Sequence, residues 1–195
     1  MLATGNTGKL AEMRAILDGH DLEVIPQGQF GIVPPIEDGA SFVANALIKA
    51  RHAAALVGLP AIADDSGLEV DALGGRPGLH SARYAGPSAG AGDNNARLLA
   101  ELADIPQGQR SARYRCAMVF VRDAADPAPI IAEAGWEGRI GREPRGAGGF
   151  GFDPLFIVDE AGRTAAEMSA QQKNRVSHRG QALLALAARM REAGW

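Results

Sequence analysis

The sequence predicts an α/β fold built on a mixed sheet. Three observations carry that expectation. Apolar residues recur at helical spacing over residues 9–17, 41–57 and 177–193. Shorter apolar or alternating runs at 60–63, 68–70, 112–121, 130–140 and 155–158 read as strands. The two longest of these are joined by a turn at 123–127, which makes a hairpin, so the sheet is not purely parallel.

Taken in order, Leu2 and Ala3 read as the end of a first strand whose greater part would lie upstream. The helix at 9–17 aligns Leu10, Met13, Ile16 and Leu17 on one face, and 22–25 is a candidate strand. A glycine- and proline-rich loop at 27–38 leads to the helix at 41–57. There Val43, Ala46, Leu47, Ala50, Ala54 and Val57 form a stripe and Ser41 is the candidate N-cap. The strand at 60–63 runs into Asp64 and Asp65, and 68–70 follows as a second short strand. Residues 74–92 form a long glycine-rich loop, of the kind that tends to be functional, before a helix at 93–102. A second glycine-rich loop at 146–154 precedes the strand at 155–158. The closing helix turns Leu183, Leu184, Leu186, Ala187 and Met190 inward. There is no internal repeat and no low-complexity linker.

Composition narrows the function. At 195 residues and 46% hydrophobic, the chain suits one domain or two small lobes sharing a core. A net charge of −3 gives no basic surplus to neutralise a nucleic-acid backbone. No apolar run reaches the length of a membrane span, and no signal-peptide pattern opens the sequence. The expected location is the cytoplasm. The single cysteine, Cys116, excludes an intrachain disulfide and a cysteine-rich metal site, and reads as core. Only Lys9, Lys49 and Lys173 are lysine, every other fixed cation being arginine. A compact ammonium suits phosphate contact. The neighbours of Lys9 and Lys173 favour a functional role, while Lys49 is balanced between function and chance.

Chemistry gathers in four places. In ADDSGLEV, Asp64 and Asp65 end an apolar run, a costly position for carboxylates unless a cation offsets it. Neighbouring strand residues face opposite ways, so one aspartate faces the site; Asp65, beside Ser66, is preferred, with Asp64 in support. Thr4, Gly5, Asn6, Thr7, Gly8 and Lys9 form a loop entering a helix, a natural anion site. It is not a Walker A loop, since Leu10 follows Lys9, and taken alone an ordinary strand-to-helix turn is its commoner use. Phe150, Gly151, Phe152 and Asp153 follow two glycines; an aromatic there presents a face for a planar base, or packs in the core, as at least one must. His178 and Arg179, after Ser177, either donate to a base carbonyl or simply follow a helix cap. Glu37 and Asp38, on the residues alone, read as solvated loop acids.

The chain resembles the inosine triphosphate pyrophosphatase family, the non-canonical purine nucleoside triphosphate pyrophosphatases. The matching segments are ATGNTGKLAEM, GASFVANALIKA, ADDSGLEVDALGGRPGLHSARYAG, GGFGFDPLF and AEMSAQQKNRVSHRGQAL, five in order across nearly the whole chain. The resemblance implies an elongated mixed α/β sheet with flanking helices, residues 1–195 forming one domain of two lobes around a cleft. It implies hydrolysis of ITP, dITP and XTP to monophosphate and pyrophosphate, with Mg²⁺, by a homodimer. By motif, Thr4, Gly5, Asn6, Thr7, Gly8 and Lys9 would bind the triphosphate, and Glu37 and Asp65 would hold Mg²⁺. Asp65 would also be the base, and Ser66 would touch the nucleotide. Phe150, Gly151, Phe152, Asp153, Lys173, His178 and Arg179 would hold base and phosphates. Alternatives are a relative with another nucleotide preference and a non-catalytic nucleotide-binding regulator. Two features depart from the pattern: Ala44 stands where many relatives have glutamate, and the first strand is short.

Overall fold

The computed structural model describes residues 1–17 and 25–195. Apart from Ile25, the strand expected at 22–25 lies outside the described residues. The order is α1 (Thr7–Leu17), α2 (Phe42–Val57), β1 (Ala61–Val70), α3 (Ala91–Glu101), β2 (Ser111–Val121), β3 (Ile130–Ile140), β4 (Phe156–Ile157), α4 (Ala170–Val176) and α5 (His178–Glu192). The strands form one sheet in the order β1-β2-β3-β4, and β4 pairs antiparallel with β3 through Arg139–Ile157 and Ile140–Phe156. The predicted mixed α/β class is therefore observed. No helix among the described residues is long and apolar enough to cross a membrane.

The chain divides into two compact units. The first comprises Met1–Asp65, Cys116–Ala134 and Arg179–Trp195. Its part of β2 buries both faces, as strict alternation requires. Cys116, Met118 and Phe120 join Met13 of α1 and Ala182, Leu183, Leu186 and Met190 of α5. Val119 and Val121 join Ala46, Ala50, Ala53 and Ala54 of α2. Leu2 makes parallel bridges to Pro26 and Ile62, so the N-terminal segment lies beside β1. The second unit comprises Ser66–Arg115 and Gly135–His178. Its core gathers Leu68, Val70, Tyr84, Leu98, Leu102, Tyr114, Trp136, Ile140, Phe152, Leu155 and Phe156. Arg110 is buried there with no carboxylate partner among the described residues: its guanidinium donates to the carbonyls of Leu102, Ile105 and Gly141. Leu102 directly follows α3, where a cation is favoured by the helix dipole.

Several expectations change. The strands expected at 60–63 and 68–70 are one strand, β1, which continues through both aspartates and Ser66-Gly67. Each acid is neutralised in place, so the strand has no need to end there. Leu184 is 45% exposed rather than inward, because the buried stripe of α5 runs through Ala182, Leu183, Leu186, Ala187 and Met190 and position 184 falls outside it. Helix α4 went unpredicted, although Ser169 and Gln172 form the capping box that marks its start. Ser41 caps α2 by accepting from Ala44 N at 3.1 Å, so the cap forms with alanine at position 44.

The turn between β2 and β3 depends on Asp126, which is buried and accepts from Arg122 N at 2.9 Å, Ala128 N at 3.0 Å and the Arg122 guanidinium. The Arg122 side chain, with the two backbone donors, holds its carboxyl well below the usual range against the opposing effect of burial. A depressed folded-state pKa contributes stability above the unfolded value of about 3.9, and this is lost as pH falls through the native value. Asp126→Asn is expected to cost roughly 1–3 kcal/mol at pH 7. It should also flatten the acid limb of stability below about pH 4. Urea unfolding at pH 7 and pH 3 checks both; equal losses at the two pH values would show that the charge is idle.

Candidate active site

Asp64 and Asp65 are adjacent on β1 and find partners on different elements, as the pleat requires. Asp64, 2% exposed, accepts from Lys9 Nζ of α1 at 2.8 Å and makes a longer contact of 3.5 Å with Arg179 Nε at the start of α5. Arg179 Nη1 in turn reaches Glu12 at 2.5 Å. Burial alone would raise the Asp64 pKa, but the charges of Lys9, Arg179 and Lys49 hold it far below the carboxylate range. Burial would likewise lower that of Arg179, and Asp64 and the other anionic neighbours more than offset it.

Asp65 is held from α2. Asn45 Nδ2 donates to its Oδ2 at 3.1 Å and Lys49 Nζ to its Oδ1 at 3.1 Å. Asn45 and Lys49 are four residues apart and so share a helix face. Lys49 Nζ also donates to Glu37 Oε2 at 3.0 Å. Burial acts to lower the Lys49 pKa; Asp65, Asp64 and Glu37 outweigh it and raise it. Asn45 Oδ1 accepts from Gly39 N at 2.8 Å, and a Cβ at position 39 would lie 2.7 Å from that oxygen. Gly39 thus lets the proline-rich loop close onto α2 and brings Glu37 to Lys49.

The 4–9 loop is ordered by its own side chains. Thr4 Oγ1 accepts from Asn6 N at 3.2 Å and Asn6 Oδ1 accepts from Lys9 N at 3.0 Å, which caps α1. Gly5, Asn6 and Thr7 are exposed at the helix N-terminus, where an anion is favoured.

In the second unit Asp153 is the organiser. Its Oδ2 accepts from Lys173 Nζ at 2.5 Å and Phe150 N at 2.8 Å, and its Oδ1 from the Tyr114 hydroxyl at 3.2 Å. Gly149 has φ +68°, and a Cβ there would sit 2.1 Å from Oδ2. Lys173 is buried, with Nζ 4.9 Å from the centre of the Phe150 ring. Phe150 and Gly151 are partly exposed, whereas Phe152 is a core residue at 4% exposure. His178 is buried and stacks on Tyr114 at 4.5 Å and 8°. Ser66 is partly exposed on β1.

The structure therefore brings Lys9, Glu37, Asp65 and Arg179 into one charged network in the first unit. It brings Phe150, Asp153, Lys173 and His178 into another in the second. All three lysines pair with aspartates of these motifs. Sequence reasoning passed over Asn45, Tyr114 and Glu12, and left Lys49 undecided. The four-residue spacing of Asn45 and Lys49, ahead of two aspartates, was the available signal. Cys116, buried with its thiol pushed up to about 12 by desolvation, is no nucleophile.

The sequence matches the Ham1 family over residues 1–189. The chain belongs to the Ham1 family. A dITP/XTP pyrophosphatase of Methylococcus capsulatus is 59% identical over 191 residues, covering 98% of this chain and 95% of that protein. One of Halorhodospira halophila is 60% identical over 186 residues, with 95% and 94% covered. A solved HAM1 protein from Coxiella burnetii superposes with a TM-score of 0.89 at 47% identity, covering 98% of this chain and 97% of that one. The Staphylococcus aureus Ham1 protein gives 0.85 at 33% identity, with the same coverage. These are Ham1 structures at near full length, so the fold is the Ham1 fold.

Within this Ham1 chain, Glu37 and Asp65 present hard oxygen donors converging on one point, now held by the Lys49 ammonium. Among the described residues no cluster of three or more histidine, cysteine, aspartate or glutamate side chains could hold a metal. Mg²⁺ uses one or two carboxylates and completes its shell with water and phosphate, so this donor pair fits it. Asp64 has a different job: the buried Arg179 and the partly exposed Lys9 both pair with it. Asp64→Asn is expected to cost about 3 kcal/mol or more, because the buried Arg179 loses a partner. Urea titration of both variants checks this, with Asp65→Asn expected to lose clearly less; the reverse order would overturn the division of labour.

Proposed function

We propose that the protein hydrolyses the non-canonical purine nucleotides ITP, dITP and XTP to the monophosphate and pyrophosphate, as a Mg²⁺-dependent homodimer in the cytoplasm. The observation that carries this reading is near full-length identity to dITP/XTP pyrophosphatases, with every lysine paired to an aspartate of the motifs.

Water adds to the α-phosphorus, the bond to the α,β-bridging oxygen breaks, and pyrophosphate leaves. Asp65 takes the proton. An ionised carboxylate has about four acceptor positions, and Asn45 and Lys49 use one on each oxygen, so capacity for a water remains. Asp64, enclosed by cations, is the weaker candidate. Glu37 and Asp65 would hold Mg²⁺, which when bound neutralises charge on the triphosphate and leaving group. Thr4, Gly5, Asn6, Thr7, Gly8 and Lys9 receive the phosphates, with donors preorganised at the start of α1. Ser66 contacts the nucleotide, and Phe150 offers its half-exposed ring to the base. Gly151 permits the turn at φ +62°, and Phe152 anchors it in the core. Lys173, held by Asp153, and His178 present donors to the purine edge. A 6-oxo group accepts from such donors and a 6-amino group does not, and a buried donor left unpaired makes the discrimination large. Arg179 acts through Asp64 and Glu12.

Pyrophosphate release from ITP, XTP, GTP, ATP and dTTP, with Mg²⁺ or with chelator, tests the reading. Turnover is expected with ITP and XTP and only with the metal; no release from either with Mg²⁺ present would sink it. Asp65→Asn should lower kcat by about 10²-fold or more while the protein stays folded. Retained turnover in that variant would remove Asp65 from the role of base.

A further inference from the structure

We infer that Tyr114 is a positioning residue for base selection, setting the Asp153 carboxylate through its hydroxyl and the His178 imidazole through its ring. The inference rests on the assignment of Asp153, Lys173 and His178 to the purine edge. Tyr114 lies on β2 and is 8% exposed. As a core residue it packs against Phe156 at 4.7 Å and Trp136 at 6.4 Å, contacts that a phenylalanine would supply equally. Two features go beyond packing. The phenol reaches Asp153 Oδ1 at 3.2 Å, and because an ionised carboxylate only accepts, the hydroxyl must donate. The ring lies parallel to His178, within 8° and with centroids 4.5 Å apart.

These contacts act on different degrees of freedom. Asp153 Oδ2 holds Lys173 Nζ and Phe150 N, so rotation of the carboxylate would move both the ammonium and the start of the 150–153 turn. The hydroxyl on Oδ1 opposes that rotation. The stack fixes the plane of the imidazole, and hence the plane in which its ring nitrogens make hydrogen bonds. Trp136 continues the stack with His178 at 6.4 Å and 21°. Recognition of a single exocyclic group needs donors placed to within about 0.5 Å, so one side chain that orients both donor-bearing groups governs selectivity without touching phosphate.

Tyr114→Phe removes the hydroxyl and keeps the stack; Tyr114→Leu removes both. In the Mg²⁺-supplemented full-length enzyme, Tyr114→Phe is expected to raise KM for dITP and XTP about fivefold, the scale of one hydrogen bond, with kcat within about twofold. Selectivity for dITP over dATP falls by a similar factor. Tyr114→Leu loses more, and its His178 ring protons lose the upfield shift that a stacked phenol imposes, whereas Tyr114→Phe keeps that shift. Lys173→Gln and His178→Ala, run alongside, should also lower the dITP over dATP ratio. If they lower it and Tyr114→Phe leaves KM and selectivity unchanged, the positioning role is overturned alone. If none of the variants moves the ratio, the base assignment fails and the inference with it. A Tyr114→Phe variant that loses thermal stability and activity equally toward all nucleotides would mark a structural residue and overturn the proposal too.

Discussion

Two adjacent carboxylates in the middle of a buried strand are the constraint around which the first unit is arranged. An isolated buried carboxylate is costly, so each must meet cations where it stands. Lys9 from α1 and Arg179 from α5 meet Asp64, and Lys49 from α2 meets Asp65. Three helices are therefore tied to one strand by charge as well as by packing. Glu12 and Glu37 extend the same network to four carboxylates and three cations, so the charges nearly balance.

The two units solve related problems with different chemistry. In the first, an asparagine and a lysine on one helix face hold Asp65. In the second, an aspartate collects an ammonium, a backbone N–H and a phenol, and a glycine backbone fits against it where no side chain could. Asp153 is thus a scaffold for donors.

Much of the fold was legible because periodicity reports local structure directly. The alanine stripe of α2, the hairpin of β2 and β3, and the cap at Ser41 all follow from residue spacing. The break expected in β1 shows the limit of that reasoning. Asp-Asp-Ser-Gly is poor strand material on propensity, and only partners distant in sequence, Lys9, Lys49 and Arg179, make it good. Leu184 fails for the opposite reason: hydrophobicity does not say how wide a helix's buried stripe will be. At the candidate site, the motif residues were legible by type. Asn45 and Tyr114 were not, since an amide or a phenol acquires meaning only from the carboxylate it touches.

The alanine face of α2 has a consequence for how this chain tolerates change. Ala46, Ala50, Ala53 and Ala54 are buried and present only methyl groups to Val119 and Val121 of the sheet, which favours a short spacing. The reach of Asn45 and Lys49 to Asp65 is calibrated to that short spacing. A single added methylene on this face need not unfold the protein, yet it would lever the helix outward and lengthen two polar contacts made on its neighbouring face. Drift toward larger apolar residues, harmless in most cores, is here constrained by chemistry rather than by stability. The face that never meets solvent or substrate is then among the least free to vary.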